Sequence, residues 1–180
     1  MRNDATKQAK VPEFVTFFQK LGQGREPASQ QLITDLRKAT GLLIRPIGKG
    51  SPLLEARVVT RHGRVNDEAL KKLLPLENHL VRLDIRDTAV TDDVCGTLSK
   101  FNSLVELNLR GCKVGDNGVA QLMVLKNLQT LNLGKTEVTH DGVGQLLKLP
   151  NLTTLNLWQS KAGKDQAQFE QVRSGLQIVN

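Results

Sequence analysis

Leu80-Val81-Arg82-Leu83-Asp84-Ile85 returns as Leu104-Val105-Glu106-Leu107-Asn108-Leu109, then as Leu128-Gln129-Thr130-Leu131-Asn132-Leu133, then as Leu152-Thr153-Thr154-Leu155-Asn156-Leu157. The step is 24 residues each time, and one more step lands on Leu176-Gln177-Ile178-Val179, which reads as a closing strand. Self-similarity at a fixed period of roughly 20 to 50 residues is the mark of a solenoid, in which neighbouring units share one core because a single unit cannot bury its own apolar side.

The residues between the strands repeat as well. Val90, Val114 and Val138 form one column, Leu98, Leu122 and Leu146 the next, and Phe101, Leu125 and Leu149 a third. Each unit therefore reads as strand, turn, short helix and turn. Asp93, Asn117, Asp141 and Asp165 stand just ahead of the helical stretches and are expected to act as helix caps, satisfying backbone N–H groups. Residues 54–79 echo the pattern weakly, with Val65-Asn66-Asp67 set 25 positions before Val90-Thr91-Asp92.

This pattern resembles the leucine-rich repeat family. Thr88-Ala89-Val90-Thr91-Asp92, Lys135-Thr136-Glu137-Val138-Thr139-His140-Asp141-Gly142-Val143 and Leu155-Asn156-Leu157-Trp158-Gln159-Ser160 are similar to its 24-residue bacterial form, abundant in planctomycete and verrucomicrobial proteins. Where that family often carries Asn after each strand, this chain has Thr88, Cys112, Thr136 and Ser160, small groups that can still bond to loop backbone. The resemblance implies an α/β leucine-rich repeat solenoid with parallel strands on the concave face, short helices on the convex face and an α-helical N-terminal cap. The expected division is a helical, basic cap segment over 1–50, a divergent first repeat over 51–79, repeats over 80–163, and a capping helix with a closing strand over 164–180. Related bacterial repeats are often joined to catalytic, kinase-like or haem-binding domains; no CxxCH haem motif occurs here.

The ends of a solenoid need covering. Val11, Phe14, Val15, Phe17, Phe18 and Leu21 fall in one helical arc, and a second helix is expected from about Pro27-Ala28-Ser29 to Gly41, with Leu32, Ile33, Leu36 and Ala39 on its apolar side. Leu42-Leu43-Ile44 suggests a strand. Capping the first repeat is the leading reading of these helices; docking to another protein and binding to a membrane surface stand behind it.

Alternate strand residues face solvent, so the repeats display three columns. These are Arg82, Glu106, Thr130 and Thr154; Asp84, Asn108, Asn132 and Asn156; and Arg86, Arg110, Gly134 and Trp158, flanked by Asp87 and Lys135. Arginine and tryptophan are enriched at binding hot spots. A protein or peptide partner held across these columns is one reading. The other makes the Asp/Asn column a bonded ladder, pairs Arg86 with Asp84 or Asp87, and packs Trp158 against the C-terminal cap.

The net charge of +7 is concentrated early, with nine Lys/Arg against four Asp/Glu in residues 1–50. An RNA- or assembly-associated basic protein anchored through Arg2, Lys7, Lys10, Lys20, Arg25, Arg37, Lys38, Arg45 and Lys49 is the alternative function. Aromatics at 3% and the absence of Tyr disfavour base stacking. No catalytic constellation, cofactor motif or metal-ligand spacing emerges from His62, His79, His140, Cys95 and Cys112, and Asp92, Asp93, Asp116 and Asp141 are explained by turns and caps. No transmembrane run or secretory leader is visible, so a cytoplasmic protein with reduced cysteines is expected. The leading reading is a non-catalytic adaptor; its oligomeric state is left open.

Overall fold

The computed structural model describes residues 13–59, 65–165, 169, 173 and 175–179. Two helices come first, α1 (Glu13–Gly22) and α2 (Gln30–Thr40), followed by strands β1 (Leu42–Pro46) and β2 (Leu54–Val58). Helix α3 (Asp67–Lys71) and strand β3 (Leu80–Asp84) lead into α4 (Asp92–Leu98), β4 (Glu106–Asn108), α5 (Asp116–Leu122), β5 (Thr130–Asn132), α6 (His140–Leu146), β6 (Thr154–Asn156) and β7 (Gln177–Val179). The strands lie side by side in chain order. Only β1 runs antiparallel to its neighbour; every later pair is parallel. This is the open solenoid that the repeats imply, with strands on one face and short helices on the other.

The register keeps the columns intact. Arg82, Glu106, Thr130 and Thr154 pair in sequence, as do Leu83, Leu107, Leu131 and Leu155. The latter leucines are buried, and Ile85, Leu109, Leu133 and Leu157 are fully covered. Burial of each such side chain is worth about 1.5–3 kcal/mol, and here the same core runs from Ile33 in α2 to Ile178 in β7. The first repeat departs from the 24-residue step, and its register is irregular: Leu54 stands opposite Leu80 and Glu55 opposite Arg82, which leaves Val81 of β3 as the extra residue.

At the N-terminal end, Ser29 caps α2, its hydroxyl accepting the Leu32 N–H at 3.2 Å, and Gly41 ends the helix in the left-handed region at φ 76°. Ile33 and Leu36 are buried as expected, but Ala39 is exposed and Thr40 takes the covered position, its hydroxyl donating to the Leu36 carbonyl at 2.6 Å. Helix α2 closes the stack through β1 and α3. Helix α1 does something else: Phe18 packs with Leu53, Val81 and Val105 in a separate cluster where β2, β3 and β4 begin. It lies along the edge of the strand face, and Val15 is left exposed. Val11, the side chain of Phe14 and most of the expected C-terminal capping helix lie outside the described residues; Phe169 of that segment is buried against the His140 ring, 4.7 Å between centroids.

Helix capping follows a different column from the one expected. Thr91, Gly115 and Thr139 are the cap residues, each two positions before the expected Asp93, Asn117 and Asp141, and Asn66 caps α3. The acids at the first helical position reach forward to the next repeat. Asp67 accepts from the Thr91 N–H and hydroxyl at 3.0 and 2.6 Å, Asp92 from the Gly115 N–H at 2.7 Å, and Asp116 from the Thr139 N–H and hydroxyl at 2.8 and 2.6 Å. Glycine follows where that carboxylate needs room, since a Cβ at Gly118 would strike Asp92 and one at Gly142 would strike Asp116. On the far turn, Ser103, Asn127 and Asn151 each donate back to a carbonyl of the preceding unit, that of Asn78, Asn102 or Lys126.

Candidate functional site

The strand face is positioned by the register, and its three columns behave differently. In the middle column the side-chain oxygen folds onto its own strand exit. Asp84, Asn108, Asn132 and Asn156 accept the backbone N–H two residues on, at 3.3, 3.1, 2.9 and 3.0 Å. This ladder is local to each turn and does not run along the stack. The carboxamide nitrogens of Asn108, Asn132 and Asn156 are left with no acceptor among the described residues.

The first column divides in two. Arg82 donates from Nε to Glu106 at 2.9 Å and stands 3.8 Å from Glu55, which also holds Arg45 at 2.6 Å. The Arg82 guanidinium lies 5.1 Å from the centre of the Phe18 ring. The charges at the early end of this column are therefore paired with one another and edged by α1. Thr130 and Thr154 continue the column without charge.

In the third column, Arg86 pairs with Asp84 at 2.6 Å and Arg110 with Asp87 at 3.0 Å. Trp158 is 40% exposed, among the few large apolar side chains so open. It lies with the Arg110 guanidinium 5.7 Å and the Lys135 ammonium 4.8 Å from its ring centre. Gly134 occupies the rung between Arg110 and Trp158, where a Cβ would crowd the Asn156 Oδ1 and the Trp158 carbonyl at 3.1 Å and the Asn132 Oδ1 at 3.2 Å. Lys135 has no carboxylate partner among the described residues. Beside the column runs a row of left-handed residues, Asp87, Gly111, Lys135 and Gln159, at φ 55°, 72°, 55° and 56°. Here the chain turns off each strand, and its N–H groups continue the ladder: Asp87 to Arg110, Gly111 to Gly134 and Lys135 to Trp158, at 2.7, 2.8 and 2.7 Å.

The other candidates serve the scaffold. Thr88, Thr136 and Ser160 donate their hydroxyls to the carbonyl three residues back at 2.7, 2.6 and 2.8 Å, while the Cys112 thiol reaches Ile85 at 3.2 Å. Both cysteines are free and buried. Burial pushes the Cys95 thiol up to about 12, with Asp92 and Asp67 adding to it, and burial also raises Cys112. Neither is an activated nucleophile. Among the described residues no group of three or more His, Cys, Asp or Glu could hold a metal ion. His79 contacts the Glu26 carbonyl at 3.0 Å, whereas His62 lies outside the described residues.

The N-terminal cations are dispersed. Arg25 bonds the Asn78 carbonyl and Ser103, Arg37 bonds the Ile44 carbonyl, and Arg45 pairs with Glu55. Arg2, Lys7 and Lys10 lie outside the described residues, as do Arg61 and Arg64. No helix among the described residues is long and apolar enough to cross a membrane.

Sequence reasoning placed the three columns correctly but missed the jobs of Asp67, Asp92, Asp116, Asn127 and Asn151. Their recurrence near the 24-residue step was the available signal. It also gave Gly134 no role.

Comparison with known proteins gives a family profile, described as leucine-rich repeat, matching residues 102–123. No curated protein matches the chain. Among solved structures, an internalin from Listeria monocytogenes is 24% identical over 60% of this chain and 31% of its own, with a TM-score of 0.48. A second internalin of that species is 16% identical over 73% of this chain and 75% of its own, with a TM-score of 0.37. The chain thus spans about a third of the length of the first.

Proposed function

The chain belongs to the leucine-rich-repeat family, and from that premise we propose that it is a non-catalytic interaction module holding a protein or peptide segment on the C-terminal half of its strand face. The observation that carries this reading is Trp158, exposed beside Arg110 and Lys135 on the half of the face whose other two columns carry no charge. An exposed indole offers large contact area at little conformational cost, and Thr130, Thr154, Asn132 and Asn156 supply an uncharged polar floor next to it. Arg82, Glu106, Asp84 and Arg86 belong to the early half of the face and frame the contact. A reducing, cytoplasmic setting suits two buried free thiols.

The test is selection of binders from a random peptide library on the intact chain and on Trp158→Ala, with circular dichroism to verify that the variant folds. The expected result is a set of peptides retained by the intact chain and lost on the variant. Equal retention on both would remove Trp158, and with it this half of the face, from the contact.

A further inference from the structure

The partner's chemistry can be taken one step further, on the premise that the contact surface is the one just proposed. We infer that the Trp158 site takes a carboxylate-bearing segment, a stretch of polypeptide with Asp or Glu beside an apolar residue. The site is rich in donors and short of acceptors. Lys135 offers three N–H groups with no carboxylate partner among the described residues, and Arg110 commits one of its N–H groups to Asp87. The carboxamide nitrogens of Asn132 and Asn156 add further donors with nothing to receive them.

Both cations are already drawn to the indole, at 5.7 and 4.8 Å from its centre, so they flank the ring rather than extend into water. A carboxylate set between Lys135 and Arg110 at the rim of the ring would meet two positive groups, while the neighbouring apolar side chain of the partner covers the indole face. Asp84, in the middle column, and Asp87, beside the third, discriminate among anions. Their negative charge is compatible with one or two carboxylates but opposes a polyphosphate backbone running along the face. The net charge of +7 would steer such a partner toward the protein.

The chain has one Trp and no Tyr, so its intrinsic fluorescence reports this site directly. The experiment titrates the full chain with hexaglutamate, hexaglutamine and oligothymidylate, following Trp158 fluorescence together with backbone amide shifts. Hexaglutamate is expected to give a saturable change at Arg110, Gly134, Lys135 and Trp158, weakened about tenfold in Lys135→Gly and much weaker for hexaglutamine. The Lys135 position has a left-handed backbone that glycine adopts freely, so that variant keeps the fold.

Equal perturbation by hexaglutamine would overturn the acid preference while leaving the contact surface in place. A stronger response to oligothymidylate at these residues would replace the peptide with nucleic acid. Shifts confined to other lysines, or none at these four residues, would overturn the inference; the Trp158-dependent peptide selection then decides the contact surface independently.

Discussion

Lys135 and Gly111 occupy the same left-handed position one repeat apart, at φ 55° and 72°. A non-glycine residue held there costs on the order of 1 kcal/mol, partly offset on replacement by the greater freedom of glycine in the unfolded chain. Lys135→Gly is therefore expected to raise folding stability by about 0.5 kcal/mol in urea denaturation, even as it weakens an acidic ligand. Loss of stability would place Lys135 among the scaffold residues. Gly111→Ala acts in the opposite direction: its Cβ would strike the Asp87 carboxylate, so a loss of about 1–3 kcal/mol is expected, with displacement of the group that holds Arg110. Cys95 gives a pH signature. Its thiol rises from 9.0 to about 12 on folding, so the unfolded chain ionises first and binds fewer protons. Its stabilising contribution is complete below about pH 9 and is lost as pH climbs toward 12, at a limiting slope of about 1.4 kcal/mol per pH unit. Chemical denaturation across that window should show a shallower decline in Cys95→Ala; an unchanged slope would mean the thiol is not the group responsible.

The helices test how neighbouring units are tied together. Asp116 at the start of α5 serves α6, so Asp116→Ala should cost about 1–3 kcal/mol by leaving the Thr139 N–H and hydroxyl unpaired. Asp141, which sequence reasoning made a cap, has no comparable bond among the described residues, and Asp141→Ala should stay within about 0.5 kcal/mol. Matching losses in thermal unfolding would restore the cap column to Asp141. The error has a physical origin. A Thr-Asp-Asp run such as Thr91-Asp92-Asp93 offers three polar groups within one turn, and each acid is chemically able to accept an N–H. Which one does so depends on the neighbouring repeat, which spacing within one unit does not reveal. The strands were more legible, because a 24-residue step fixes both which residues alternate and which share a column. The placement of α1 was less so: an amphipathic arc announces that a helix has an apolar side, not which surface it meets. Phe18 found Val81 and Val105 at the edge of the strand face, and Phe18→Ala should cost about 3 kcal/mol while raising hydrogen exchange first in α1.

Among the described residues one contiguous core joins α2 to β7, and within the sheet each strand pairs with the next in chain order. Such a chain is stable through the sum of its repeat interfaces, and a short stack has no independent half. Trp158 lies near one end of that core and α2 at the other, so two optical probes sample separated parts of the solenoid. Urea unfolding followed by Trp158 fluorescence and by far-ultraviolet circular dichroism is expected to give coincident transitions. Leu131, buried in the central strand β5, supplies the harder test. Leu131→Ala should cost about 2–5 kcal/mol and move both transitions together, because weakening a middle interface uncouples the two ends only if each can stand alone. Separate midpoints would show the later repeats holding their own structure. The Trp158 surface would then survive without α1 and α2, making the N-terminal segment dispensable for binding. Coincident midpoints instead make every repeat interface a determinant of how much Trp158 surface is displayed at a given temperature.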